Sequence, residues 1–404
     1  MTLPPYSPIL PAAAPPDGLV RVLVCDDSAV IRSAISAILE RDPRIRVVAR
    51  AADGAQAVAL ARQVAPDVVV LDIEMPVMDG LAALPLLLAH DPGLRVIMAS
   101  TLTTRGADIA LRALRLGAAD CLPKPTSGGA DHAGFAAELL ARVRGLARLR
   151  RPAPTAPAAP AAHAAAPPPA RRPALLAIGA STGGPQALFA LVEALGPGLP
   201  VPVVLTQHMP ATFTPLLARH LTRLGAMPCD EAEDGAPLLP GRIALAPGNR
   251  HLLVRSDRGT LRGVLSDAPP ENHCRPAVDA MLRSACEACD GAVLVVMLTG
   301  MGQDGLAGTA RIVEAGGCAL AQDAATSVVW GMPGAIARAG LAHAVLPLPG
   351  IAPRVLQMLA ASPCPVPRPA PFRPRPPGLS PLPPAEPRPP AAPRTPPLPP
   401  AAPR

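Results

Sequence analysis

Proline cannot continue a helix interior or pair within a central strand, and this chain of 404 residues carries 58 of them. Their placement divides it. Residues 1–17 hold six, residues 151–174 hold eight and residues 362–404 hold twenty. Elsewhere proline usage is ordinary, and half of all residues are hydrophobic. The chain therefore reads as two foldable blocks, 18–150 and 175–361, with a disordered N-terminus (1–17), an Ala/Pro-rich linker (151–174) and a Pro/Arg-rich disordered tail (362–404).

Charge follows the same division. The formal net charge is +7. Asp17, the linker arginines (Arg151, Arg171, Arg172) and the tail, with six Arg against Glu386, account for all of it. The two blocks together are neutral, which argues against a nucleic-acid-binding domain, since that would carry its basic patch on a fold. The N-terminus lacks a basic and then apolar leader, so no signal peptide is expected. No apolar run is long enough to span a bilayer. Eight cysteines scattered over a long chain fit a reducing cytoplasm. Cys286 and Cys289 form a CxxC with no second pair at finger spacing, so packing is the default reading. A cytoplasmic location is the expectation.

In the first block, short, nearly continuous apolar runs (19–25, 47–51, 68–71, 96–99, 119–122) alternate with helical stretches (30–39, 55–64, 81–89, 107–116, 133–149). Five such repeats predict a flavodoxin-like (βα)5 α/β fold with a parallel sheet buried on both faces. Ligands of such sheets sit at the carboxyl ends of the strands, and polar residues gather there. The first strand ends in Asp26-Asp27, the third in Asp72, the fourth in Ser100-Thr101, and Lys124-Pro125 follows the fifth. Three carboxylates on one edge repel one another unless a hard cation lies between them, and Mg²⁺ takes such oxygen ligands. A lysine and a hydroxyl opposite would suit a tetrahedral anionic group such as phosphoryl. Lys124 is the only lysine among 37 basic residues. A compact ammonium differs from a guanidinium fork in reach and geometry.

The second block repeats the pattern. Strands are expected at 175–178, 201–206, 242–245, 293–298 and 319–321, and helices at 185–195, 214–224, 277–288 and 305–315. This predicts a mostly parallel, doubly wound α/β domain. Three strand ends draw attention: "AIGASTGG" with Ser181, "VVLTQHMP" with His208 and "VVMLTGMGQDG" with Asp304. A nucleophilic hydroxyl needs a base, and the base needs an anionic orienter. Here each comes from a different strand end, and the helix after Ser181 would favour a developing oxyanion. Other readings stay open on these residues alone. "GASTGG" could be a phosphate-binding turn, although the spacing is not G-x-G-x-x-G and no acid lies about 20 residues on. His208 could be structural, and Asp304 could cap the helix that follows it.

Longer segments carry two resemblances. "VLVCDD", "VVVLDIEMPVMDG", "MAST" and "LPKP" make the first block similar to a two-component response-regulator receiver. That resemblance implies Asp72 as phosphoacceptor and Mg²⁺ held by Asp26, Asp27, Asp72 and the backbone carbonyl of Glu74. It also implies Ser100 and Lys124 as switch residues and a cis Lys124–Pro125 bond. "IGASTGGPQAL", "QHMPATFTPLLARHL", "APGNRHLLV", "PAVDAML", "LTGMGQDG" and "AQDAATSVVWGMPGAIARAGL" resemble the catalytic domain of the chemotaxis protein-glutamate methylesterases, the CheB family. That resemblance implies Ser181 as nucleophile, His208 as base, Asp304 as orienter, the Met301 N–H in an oxyanion hole and Thr182 lining the site. No cofactor is implied for the esterase. The function implied is phosphorylation-activated removal of methyl groups from chemoreceptor glutamates, with deamidation of glutamines, driven by a CheA-type histidine kinase. Gln303 stands where the family usually has Asn, and Ala277 where it often has Ser. The alternative is a receiver-controlled receptor-binding module without turnover.

Overall fold

The computed structural model describes residues 19–100, 104–124, 132–150, 172–225 and 227–360. The expected disordered ends, most of the linker, Thr101 and the Lys124–Pro125 bond lie outside them.

The first half folds as β1 (Val20–Cys25), α1 (Ala29–Leu39), β2 (Ile45–Ala51), α2 (Gly54–Val64), β3 (Val68–Asp72), α3 (Gly80–His90), β4 (Arg95–Ser100), α4 (Thr104–Arg115), β5 (Asp120–Pro123) and α5 (His132–Arg150). Local chemistry starts three of these helices. The side chains of Ser28, Asp53 and Asp79 accept backbone N–H bonds from Ile31, Gln56 and Ala82 at the helix entrances. The five strands are parallel in the order β2-β1-β3-β4-β5. The order reverses between β1 and β3, so a crevice opens beyond their carboxyl ends. Val22, Val24, Val68 and Val70 pack with Leu139 and Val143 of α5 on one face. Leu23, Val69 and Leu71 pack with α2, α3 and α4 on the other.

The second half comprises β6 (Leu175–Ala180), α6 (Gly184–Leu195), β7 (Val203–Gln207), α7 (Thr214–Gly225), β8 (Cys229–Glu231), β9 (Ile243–Leu245), β10 (His251–Asp257), β11 (Thr260–Ser266), α8 (Val278–Ala288), β12 (Val293–Met297), α9 (Leu306–Glu314), β13 (Cys318–Gln322), α10 (Met332–Arg338), β14 (Ala344–Leu346) and α11 (Leu348–Ala360). Seven strands form a parallel sheet, β14-β13-β12-β6-β7-β9-β8, and β10 and β11 form an antiparallel hairpin apart from it. β6 is the first strand of this half, and the chain winds outward from it on both sides. The switch point therefore lies between β6 and β12, which carry Ser181 and Asp304 just past their carboxyl ends.

Four strands and two helices go beyond those expected from the pattern. β8 and β14 are three-residue edge strands, too short to show a period. α11 contains Pro353, which masks its helical signal. Both sheets belong to one compact unit, and the apolar core around α4 of the first half runs on into α6 and α7 of the second. Among the described residues no helix is long and apolar enough to cross a membrane.

Candidate functional site

Two polar edges are built, one on each sheet. On the first, Asp26 and Asp72 are buried and Asp27 is exposed. Ligand atoms of all three carboxylates lie within 4.8 Å of one another. Lys124 Nζ reaches Asp26 Oδ2 and Asp72 Oδ1, each at 2.7 Å. The Lys124 N–H donates to the Ser100 carbonyl at 2.7 Å, tying the ends of β4 and β5 together. Ser100 is buried. Glu74, two residues past β3, has an exposed side chain. Burial pushes the Asp72 carboxyl up, while the Lys124 ammonium pulls it back. A compact set of oxygen donors with no sulfur or imidazole fits a hard divalent cation such as Mg²⁺.

On the second sheet, Ser181 follows β6 and opens the turn into α6. Its N–H donates to the Thr299 carbonyl at 3.0 Å. Its own carbonyl accepts from Gly184 N at 2.8 Å and Gln207 Nε2 at 2.9 Å. Gly183 has φ 73°, and a Cβ there would lie 2.4 Å from Val328 Cγ2. Both the backbone and the packing thus require glycine beside the serine. Thr182 is buried, and its carbonyl accepts from Thr299 Oγ1 at 2.9 Å. Met301 lies in the exposed loop after β12.

His208 follows β7, and its N–H donates to the Ala180 carbonyl at 3.1 Å. Its Nε2 lies 2.8 Å from Asp304 Oδ2. Asp304 is buried and also accepts from Val278 N at 2.6 Å, Asp279 N at 3.0 Å and Asn272 Nδ2 at 3.0 Å. It therefore caps the start of α8, not α9, which begins at Leu306 with Gly305 as its N-cap. Burial works to raise the Asp304 carboxyl, but the His208 bond and charge and the two α8 N–H groups hold it below the usual range. For His208 burial works downward, yet the bonds to Asp304 and Cys274 push it up to about 9.

Three neighbours had no signal in spacing or periodicity. Asn272 and Asp279 brace Asp304, and Cys274 Sγ lies 3.5 Å from His208 Nδ1. They reach the site from the segment before α8 and from its first turn, which no strand-end rule marks.

Ser181, His208 and Cys274 line one cavity of about 470 Å³, together with Asp120, Glu138 and Arg142 of the first half. Asp120 Oδ2 accepts from the Gly183 N–H at 3.1 Å and pairs with Arg142 at 2.7 Å. Gln186 Nε2 donates to the carbonyls of Leu114 and Ala118 at 2.8 and 2.6 Å. Arg148 donates to the carbonyls of Ala324 and Ser327. The start of β5 and helix α5 thus lie directly over the serine turn.

Fold and sites together define a class: a receiver-type α/β half packed on the mouth of a hydrolase-type α/β half. Comparison with known proteins narrows it. Residues 22–130 match the response regulator receiver domain and residues 176–355 match CheB methylesterase. A protein-glutamate methylesterase/protein-glutamine glutaminase of Azospirillum brasilense is 50% identical over 83% of this chain and 92% of its own length. One named for the group 2 operon of Rhodospirillum centenum is 50% identical over 84% of this chain and 94% of its own. The chain belongs to the CheB methylesterase family.

Proposed function

We propose that this chain is a phosphorylation-activated hydrolase of chemotactic adaptation. It removes methyl groups from glutamate γ-methyl esters on chemoreceptors in the cytoplasm and deamidates receptor glutamines. The observation that carries this reading is the His208–Asp304 pair at 2.8 Å, sharing with Ser181 a cavity that the receiver half closes.

Asp304 holds Nε2, which leaves Nδ1 to take the Ser181 proton. The Ser181 oxygen adds to the ester carbonyl, and the developing oxyanion faces the Met301 N–H and the α6 N-terminus. Thr182 fixes the serine turn. The C–OCH₃ bond then breaks, and the leaving oxygen takes the proton from His208 to form methanol. Water adds to the acyl-serine, giving its proton to His208, and Ser181 leaves with that proton. A glutamate carboxylate remains. With glutamine the same steps release ammonia.

Residues 18–150 would act as the switch and 175–361 as the catalyst. Asp72 would accept the phosphoryl group from a CheA-type histidine kinase. Bound at Asp26, Asp27, Asp72 and the Glu74 carbonyl, Mg²⁺ would neutralise charge on the phosphoryl oxygens. Lys124 would leave its pairing with Asp72 for the phosphoryl oxygens, Ser100 would follow, and the docked face of the receiver would shift.

The test is methanol release from methylated receptor membranes, with and without acetyl phosphate and Mg²⁺. Release by the wild type should rise with the phosphodonor. Ser181→Ala should abolish it, and Asp72→Asn should keep the basal rate but lose the stimulation. Release that survives Ser181→Ala would overturn the catalytic assignment.

A further inference from the structure

The ring nitrogen of His208 that Asp304 leaves free has a second neighbour. Cys274 Sγ lies 3.5 Å from Nδ1 and 3.4 Å from the Asn272 carbonyl. A thiol has one proton and a weakly accepting sulfur, so these two partners let it serve the ring in both protonation states. Beside neutral His208, the S–H donates to the Asn272 carbonyl, which leaves the Nδ1 lone pair for the Ser181 hydroxyl. Beside the imidazolium, the S–H stays on that carbonyl while the sulfur accepts from Nδ1–H.

The segment that delivers Cys274 is built for this placement. Glu271 and Cys274 close a tight turn through reciprocal backbone bonds, N to O at 3.1 Å and 2.8 Å. Within it Asn272 and His273 both adopt left-handed backbone, φ 50° and 63°. Two successive left-handed non-glycine residues are unfavourable and persist where their surroundings over-determine them. Arg283 anchors the turn through Glu271 at 2.5 Å. The same turn sends Asn272 Nδ2 to Asp304 Oδ1 and to Asp279 Oδ2, each at 3.0 Å. One turn therefore touches both the base and its orienter.

We propose that Cys274 is a positioning residue for the hydrolysis: it keeps the free nitrogen of His208 aimed at Ser181 and accompanies that nitrogen's proton through the cycle. This rests on the Ser181–His208–Asp304 reading. It agrees with the electrostatics of the ring, where the Asp304 and Cys274 bonds outweigh burial. Other charged and titratable groups lining the same cavity are Arg275 and His273 beside the thiol, and Asp120, Cys121, Glu138 and Arg142 from the receiver half. All of them are unchanged in the variants below.

The experiment is the pH profile of methanol release by the full-length chain with acetyl phosphate and Mg²⁺, for wild type, Cys274→Ala, Cys274→Ser and Ser181→Ala. For Cys274→Ala the plateau rate should fall by about tenfold with KM unchanged. Its acid limb should move to lower pH, because a partner that raises the base has gone. Cys274→Ser, which keeps one donor and an acceptor, should recover most of the plateau. A folded Cys274→Ala chain whose profile superimposes on wild type would overturn the proposal, as would a serine variant no better than alanine. If Cys274→Ala fails to fold, Cys274→Val replaces it with the same expectations. Activity surviving in Ser181→Ala would instead sink the catalytic reading itself, so the two failures are distinct.

Discussion

His208 and Asp304 are coupled tightly enough to set how rate and stability depend on pH. His208 is raised to about 9 while the receiver is docked, so in the proposed mechanism its capacity to take the Ser181 proton grows as pH rises. Basal hydrolysis by the unphosphorylated chain should therefore climb between pH 7 and 9, which a stopped assay of methanol release checks. For stability the sign is the reverse. A histidine whose folded value lies above its unfolded 6.5 adds stability that is fully present below 6.5 and lost as pH rises through about 9. Urea unfolding should accordingly show the advantage of wild type over His208→Asn shrinking between pH 6 and pH 9.5. Asp304→Asn removes the charge that orients the ring, and the phosphodonor-stimulated rate should fall by about 10³–10⁴-fold. The placement of Ser181, His208 and Asp304 beyond the carboxyl ends of β6, β7 and β12 was legible because strand ends can be read from local apolar runs. Cys274, Asn272 and Asp279 were not, because their role depends on one turn folding back on β7 and β12.

At the level of elements, the contact that matters is between α5, the start of β5 and the serine turn. Gly145 of α5 lies against the loop after β13 so closely that a Cβ would come within 1.8 Å of the Val328 carbonyl. Val328 in turn packs on Gly183. Gly145→Leu should push α5 off that loop without touching either polar edge. Basal methanol release should rise several-fold and the stimulation ratio should fall. Asp120 is buried, bonded to Gly183 N and paired with Arg142, which also pairs with Glu138. Asp120→Ala leaves Arg142 paired only with Glu138 and removes the acceptor of Gly183 N–H, and urea unfolding should show a loss of about 1–3 kcal/mol. Nearly every helix and central strand was legible because fully buried parallel strands and capped helices write long local patterns. The hairpin β10–β11 and the three-residue edge strands β8 and β14 were not, since their existence depends on pairing with distant neighbours.

For the whole molecule, the proposed switch is a population shift between a docked and an undocked receiver. Deleting residues 1–170 should raise basal methanol release and remove its response to acetyl phosphate. A folded fragment of unchanged or lower activity would sink the lid. Local patterns along the chain mark the two α/β blocks, most of their elements and the strand ends that carry Asp26, Asp27, Asp72, Ser181, His208 and Asp304. Proline placement, apolar periodicity and glycine-rich turns act over a few residues, so a linear reading captures them. Long-range packing is what makes Asp304 cap α8, brings Cys274 to the second nitrogen of His208 and bonds the receiver's Asp120 to the serine turn. Those contacts join residues 26 to 66 positions apart in the chain, and at such separations only the folded packing of both halves brings donor and acceptor within reach.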